Sequence, residues 1–263
     1  MSSRGGGRRP SSARLPQADL AVVFGSGLSV MPEGAELLEE IGYGRLGWPA
    51  TSVAGHPNRL RLVSWAPDGR TSLRVLLACG RPHLYEGWSS AELERPVRDL
   101  ADREVPALLL TNAAGSLDPT LESGQAVVVT ELVDLQRPPI GEPPVLAITS
   151  PAEAARLAAA LDPCLGACPG RYVAVAGPHY ETPAEAAWLR GYGEVVGMST
   201  VAEVRAAACR GLRACVVSLV VNPSGAVVDH AGVLAAGALL SEGLARGLAA
   251  LVAAFMIEPP DRL

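Results

Sequence analysis

"GPHYETPAEAAWLRGYGEVVGMSTVAEV", running from Gly177 to Val204, sets two helix starts on either side of a short strand, the alternation from which α/β sheets are built. Thr182-Pro183-Ala184-Glu185 reads as a capping box. Thr182 is the N-cap, Pro183 takes the first helical position, where its missing N–H costs nothing, and Glu185 reaches back. That leaves Glu181 over, with a carboxylate available to something other than the helix. Thr200-Val201-Ala202-Glu203 repeats the pattern, with Met198-Ser199 on its approach. Backbone N–H groups and the helix dipole make such a start attractive to an anion, and Ser199 adds a hydroxyl. Met198 is either core filler or a soft wall for a flat ligand.

Outward from this stretch, apolar β-rich runs recur between helical patterns. "LAVVF" lies near residue 22, "LRVLLAC" near 76, "PALLLT" near 109, "AVVVTELV" near 129, "YVAVAG" near 174 and "ACVVSLVV" near 218. Runs apolar on both faces belong in a covered sheet. Helical spacing fits residues 90–103, 151–161, 183–191, 201–211 and 230–256. The expectation is one α/β domain over residues 18–263, preceded by a disordered Gly, Ser, Arg and Pro tail over residues 1–17. The stretch "AGVLAAGALLSEGLARGLAALVAAFM" is long and apolar enough to raise a membrane span, but Glu242 and Arg246 interrupt it. Leu240, Leu244, Leu248, Leu251 and Phe255 follow helical spacing, which predicts a closing helix packed on the core.

The strands run into polar segments. "LAVVF" leads into Gly25-Ser26-Gly27, "LLAC" into Gly80-Arg81-Pro82-His83, "LLLT" into Asn112-Ala113-Ala114-Gly115 and "VVSLVV" into Asn222. Ligands of open α/β sheets gather beyond the carboxyl ends of strands, so these ends predict one shared pocket. Gly25-Ser26-Gly27 resembles a dinucleotide fingerprint only until position 30, where Val30 replaces the required glycine. The turn can still form a nest of N–H donors for a phosphate. Arg81 and His83, two residues apart in an extended segment, point to the same side, aiming a guanidinium fork and an imidazole at one anion. His56, between Gly55 and Pro57, is a loop residue that can join them.

The chain has 263 residues, 49% of them hydrophobic, and 27 acidic against 22 basic residues give a formal charge of −5. That charge argues against nucleic acid or an anionic membrane as the main partner, whereas a small anion needs only a local site. Of the cysteines Cys79, Cys164, Cys168, Cys209 and Cys215, only Cys164 and Cys168 approach a metal motif, and no His or Cys flanks them at zinc spacing. Reduced, buried thiols in a cytoplasmic protein are the expectation.

"VFGSGL", "GRPHLYEG", "LTNAAGSL", "GPHYETPAEAAWLR" and "VGMSTVAEV", in that order between Leu20 and His230, resemble the signature segments of the trimeric purine nucleoside phosphorylase family, which includes the methylthioadenosine phosphorylases. The resemblance implies a nucleoside phosphorylase fold with a mixed sheet, partly closed into a barrel and flanked by helices, in a homotrimer. It implies phosphate-dependent cleavage of 6-oxopurine nucleosides to free base and ribose 1-phosphate, with phosphate as co-substrate and no cofactor or metal. Position by position, Ser26, His56, Arg81, His83, the Ala113 N–H and Ser199 match the phosphate site. Tyr85 and Met198 match ribose contacts, and Tyr180 lies along the nucleoside. Glu181 and Asn222 meet the purine edge, and His230 resembles the histidine near the sugar's 5′ end. Asn222, Glu181 and His83 are the expected catalytic groups.

The chain also departs from that pattern. Val221 stands where a hydroxyl residue usually precedes the asparagine, and Ser29 and Ser116 replace glycines. Residues 223–229 form a short connection, and the segment 134–150 is trimmed and lacks an aromatic residue that in relatives enters the neighbouring subunit's site. These changes fall on the base and sugar side. The alternatives they leave are a methylthioadenosine phosphorylase, a phosphorylase of specialised metabolism with altered base or sugar, and a nucleoside-binding relative without turnover.

Overall fold

A computed structural model of the chain describes residues 14–137, 141–223 and 230–257. The strands are β1 (Leu20–Phe24), β2 (Glu36–Gly42), β3 (Arg59–Trp65), β4 (Leu73–Cys79), β5 (Ala107–Ser116), β6 (Ala126–Leu135), β7 (Val145–Ala147), β8 (Cys168–Val175), β9 (Val195–Gly197) and β10 (Arg213–Pro223). The helices are α1 (Tyr43–Leu46), α2 (Ser90–Asp102), α3 (Pro151–Leu165), α4 (Pro183–Leu189), α5 (Val201–Arg210) and α6 (His230–Met256). A 3₁₀ turn spans Leu84–Glu86.

All these strands join one mixed sheet. The arm β2-β3-β4 is antiparallel and leads into β4, β1 and β5, which run parallel. Beyond β5 the sheet closes on itself. β5 pairs with β10 and with β9, β10 with β6, β6 with β8 and β8 with β9, so these strands form a ring with the arm attached at β5. The sheet is thus partly a barrel, as the family resemblance implies.

Every residue of β1 is buried, and β5, β6 and β10 are buried over most of their length, because helices or further strands cover both faces. Odd positions of β5 such as Leu109 pack with Leu157 and Leu161 of α3 and Leu244, Leu248 and Phe255 of α6. Even positions such as Leu108 and Leu110 pack with Val97 and Leu100 of α2 and Val201 and Val204 of α5. By length and composition α6 could cross a membrane, yet its leucines at 240, 244, 248 and 251 are buried in this core. The helix α3 runs past residue 161 because Leu165 continues the row of Leu157 and Leu161.

Three expectations shift. The packed chain begins inside the segment read as tail, since Leu15 is 7% exposed and its carbonyl accepts hydrogen bonds from Arg103. Strands β2, β3, β7 and β9 are additional: β2 carries exposed residues at most positions, and β7 and β9 have three residues each, too short for a periodic signal. Of the free thiols, Cys79 and Cys215 are buried, but Cys164 and Cys168 are half-buried and Cys209 is exposed near the end of α5. Ser116, where a glycine was expected, donates to the Asp118 carbonyl and closes the turn after β5. Residues 138–140 and 224–229, parts of the two trimmed segments, lie outside the described residues, as does the side chain of His230.

The ends of β1 and β5 meet where only glycine fits. A Cβ on Gly25 would lie 2.7 Å from the Asn112 Cα and 3.2 Å from the Ala113 nitrogen, backbone atoms that cannot rotate away. Gly25→Ala is therefore expected to cost about 1–3 kcal/mol. A denaturant midpoint unchanged from the parent protein would contradict this close approach.

Candidate active site

Strands β4, β1, β5 and β10 are parallel neighbours, so their carboxyl ends fall on one edge of the sheet. The carboxyl halves of these strands or the segments after them border one cleft. Ser26 comes from β1, Arg81 and His83 from β4, Asn112 and Ala113 from β5, and Val221 and Asn222 from β10. Tyr85 joins from the 3₁₀ turn, Tyr180 and Glu181 from the approach to α4, and Met198 and Ser199 from the approach to α5. The cleft encloses about 680 Å³ including its open solvent mouth.

Arg81 is 2% exposed. Its Nε donates to Glu203 Oε1 at 2.7 Å and its Nη1 to the Thr111 carbonyl at 2.6 Å. Nη2 is buried and has no hydrogen-bond partner among the described residues. A buried guanidinium held on two nitrogens and lacking a partner on the third, on a residue that lines a cleft, is chemically suited to an anionic oxygen. Glu203 corrects the capping box expected at Thr200. Its carboxylate serves Arg81, and Thr200 makes no side-chain cap bond. The first helical N–H, from Val201, is likewise used, donating to the Ser199 carbonyl at 3.0 Å.

His56 does not line the cleft but organises two groups that do. Its Nδ1 accepts from the Arg81 backbone N–H at 3.3 Å, so in the neutral ring the proton sits on Nε2, which lies 2.9 Å from Ser26 Oγ. The Ser26 oxygen is thereby occupied as an acceptor, and its own O–H is left to donate elsewhere. The His56 loop is clamped to the Arg81 loop by Glu86, whose carboxylate accepts from Thr51 Oγ1, the Ser52 N–H and the His83 N–H. Burial pushes the Glu86 carboxyl up, but these hydrogen bonds outweigh it and hold it below the usual range. Burial pushes His83 down, against the pull of Glu86, so its ring is neutral near pH 7. His83 Nδ1 lies 3.2 Å from Glu86 Oε1 and must carry the hydrogen, since an ionised carboxylate only accepts. Nε2 of His83 is then an acceptor.

The remaining wall is apolar and aromatic. Tyr85 stacks on His83 with ring centroids 4.9 Å apart, and burial raises its phenol to about 12, keeping it a neutral hydroxyl. A Cβ on Gly177 would lie 2.5 Å from Met198 Sδ and 2.9 Å from Tyr85 Cδ1, so the glycine lets these two side chains close on the backbone before Tyr180. The Ser199 N–H points at the buried Tyr172 hydroxyl, 3.3 Å away. Asn222 also lines the cleft; its Nδ2 donates to the Pro223 carbonyl at 2.8 Å, and its second amide hydrogen and carbonyl oxygen have no partner among the described residues. The capping box at α4 is as expected: Thr182 and Glu185 exchange hydrogen bonds, and Glu181 borders the cleft.

The phosphorylase superfamily model matches residues 19–253. The chain belongs to the phosphorylase superfamily. Within that superfamily it is 37% identical over 260 residues to a purine nucleoside phosphorylase of Mycobacterium tuberculosis, covering 92% of this chain and 91% of that protein. It is 30% identical over 235 residues to purine nucleoside phosphorylase 1 of Bacillus subtilis, covering 82% and 83%. Among solved structures, the Schistosoma mansoni purine nucleoside phosphorylase in complex with inosine matches with a TM-score of 0.71 at 28% identity, over 92% of this chain and 91% of that one.

Of the residues singled out in the sequence of this superfamily member, ten border the cleft, namely Ser26, Arg81, His83, Tyr85, Ala113, Tyr180, Glu181, Met198, Ser199 and Asn222. His56 supports them from behind. Sequence reasoning missed Thr111, Glu86 and Glu203, whose contribution is a contact to another functional side chain. Only for Glu86, three residues after His83, did spacing offer a signal.

Two measurements on the folded superfamily member check these supports. Glu203→Ala strands the buried Arg81 charge and is expected to cost about 3–5 kcal/mol, with Glu203→Gln costing less, as read from denaturant midpoints. Because the unfolded chain protonates His83 at the ordinary value and the folded chain only at lower pH, the folded state binds fewer protons in that window. Stability therefore declines as pH falls through the ordinary histidine range. The decline measured between about pH 7.5 and about pH 5.5 is expected to shrink in His83→Gln.

Proposed function

We propose that this chain is a purine nucleoside phosphorylase, using inorganic phosphate to cleave 6-oxopurine nucleosides to free base and ribose 1-phosphate, without a cofactor. The observation that carries the reading is the buried Arg81 Nη2, which lacks a partner among the described residues in the same cleft that Glu181 and Asn222 border. One end of the cleft suits a tetrahedral oxyanion and the other a hydrogen-bonding planar base, with Tyr85 and Met198 between. The superfamily relatives support it, as does the Schistosoma mansoni structure holding inosine.

In the reaction the bond from ribose C1′ to purine N9 lengthens toward an oxocarbenium-like sugar, and its electron pair passes to the purine. A phosphate oxygen then bonds to C1′, the monoprotonated phosphate gives up its proton to solvent, and the purine anion takes one up from solvent. Arg81, Ser26, the Ala113 N–H and Ser199 hold the phosphate beside the cationic sugar, which combines proximity with charge stabilisation. His83 Nε2, as acceptor, takes the hydrogen bond of a monoprotonated phosphate and so orients its charged oxygens to the sugar. Asn222 donates to the leaving base, a bond that strengthens as negative charge gathers there, while Glu181 accepts from N1–H. Val221, at the base end, contributes no side-chain hydrogen bond. A homotrimer in the cytoplasm completes the proposal, on the strength of the family resemblance.

The test incubates the purified protein with inosine, guanosine and adenosine, with and without phosphate, and measures released base. Phosphate-dependent release from inosine and guanosine is expected. Release independent of phosphate, or from none of them, would overturn the proposal. Asn222→Ala is expected to lower kcat/KM for inosine about 10²–10³-fold. Asn222→Asp, which accepts where the amide donated, is expected to shift preference toward adenosine.

A further inference from the structure

We infer that Asn112 is a positioning residue for the phosphate end of the cleft, acting through Thr200. The inference rests on the phosphorylase reading of that cleft. Among the described residues three non-glycine residues have positive φ, namely Asn58, Glu104 and Thr200, and Thr200, at φ 78°, is the β-branched one. A β-branched L-residue in that region is strained and persists only where its surroundings hold it. With ψ −29° and the Val201 N–H bonded back to the Ser199 carbonyl, Thr200 is the centre of a tight three-residue turn of the rare positive-φ kind.

What holds it is visible. Thr200 is 1% exposed, and its Oγ1 accepts from Asn112 Nδ2 at 3.1 Å and lies 3.2 Å from Ser199 Oγ. The hydroxyl that would ordinarily cap α5 is engaged in these two contacts, so the turn serves the cleft side and not the helix. Asn112 is a costly core residue on its own account. It is 1% exposed, and it interrupts the apolar row of Leu110 and Ala114. Its Oδ1 is buried with no hydrogen-bond partner among the described residues. An apolar side chain there would avoid that desolvation, so the amide is not explained by folding.

Placement supplies the explanation. Asn112 borders the cleft between the segments that carry three of the proposed phosphate contacts. Its Cα abuts Gly25, which precedes Ser26; its own chain continues into Ala113; and its amide fixes Thr200 beside Ser199. The Asn112 side chain therefore ties the Ser199 turn to strands that already carry Ser26 and Ala113, and sets their spacing for one tetrahedral anion. The contacts of its amide lie at the phosphate end and not at the nucleoside end.

Steady-state kinetics with phosphate and inosine varied separately test this in wild type, Asn112→Ala, Thr200→Val, Thr200→Ser and the Asn112→Ala/Thr200→Val double variant. Thr200→Val keeps the branching and removes the hydroxyl. Phosphate KM is expected to rise about tenfold in both single variants, inosine KM to stay within about twofold, and Thr200→Ser to behave as wild type. The double variant is expected to be no worse than the worse single, because both remove the same contact. Equal rises in both KM values, additive losses, or an unchanged phosphate KM in folded variants would each overturn the inference. Should Asn112→Ala not fold, the contrast between Thr200→Val and Thr200→Ser decides alone. Should wild type release no base, the proposed function fails, and calorimetric titration with phosphate still reads the inference, as a Kd about tenfold weaker in Thr200→Val and unchanged in Thr200→Ser.

Discussion

A guanidinium buried to 2% exposure must have its charge answered, and in this chain the answer comes from two sides at once. Glu203 takes Nε and the Thr111 carbonyl takes Nη1, which fixes the fork in plane and direction. The remaining nitrogen, on a residue that lines the cleft, has no hydrogen-bond partner among the described residues. Most of the surrounding architecture can be understood as the means of putting Arg81 there. β4 ends at its loop, β5 supplies the carbonyl, and α5 starts where Glu203 can reach it. The parallel run of β4, β1, β5 and β10 brings the other donors to the same edge.

The two ends of the cleft are built differently. At the anion end the cleft-lining groups have a second residue behind them: Glu203 behind Arg81, His56 behind Ser26, Glu86 behind His83, Asn112 and Thr200 behind Ser199. Most of these supports are themselves buried, so the donors are held before any ligand arrives, and binding does not have to order them. At the proposed base end Asn222 is oriented by a contact to its own neighbour, Pro223, and Val221 offers an apolar surface. A site rigid toward phosphate and less constrained toward the heterocycle is consistent with one chemistry applied to a base that the second half of the cleft selects.

Much of this was legible in the sequence because it is local. The buried strands announce themselves as apolar runs, α4 by its capping box, and the cleft by four polar strand ends. The features that escaped depend on contacts across the chain. Thr200-Val201-Ala202-Glu203 has the letters of a capping box, but Glu203 lies 2.7 Å from Arg81, and a buried cation outcompetes a backbone N–H for a carboxylate. No spacing rule joins residues 81 and 203. Two strands escaped for other reasons: β3 alternates Arg59, Leu60, Arg61 and Leu62 as a half-buried strand should but lacks a continuous apolar run, while β2, at the edge, shows most of its side chains to solvent and carries almost no signal. The left-handed Thr200 is invisible at the sequence level, since nothing about threonine suggests positive φ.

The central claim is that the unpartnered nitrogen of Arg81 awaits an oxyanion, and a crystal structure of the protein grown with inorganic phosphate tests it most directly. The account predicts phosphate within hydrogen-bond distance of Arg81 Nη2 and of Ser26, the Ala113 N–H and Ser199, with the Glu203 and Thr111 contacts to Arg81 unchanged. Phosphate bound elsewhere, or an Arg81 that swings away from Glu203 to meet it, would contradict the account.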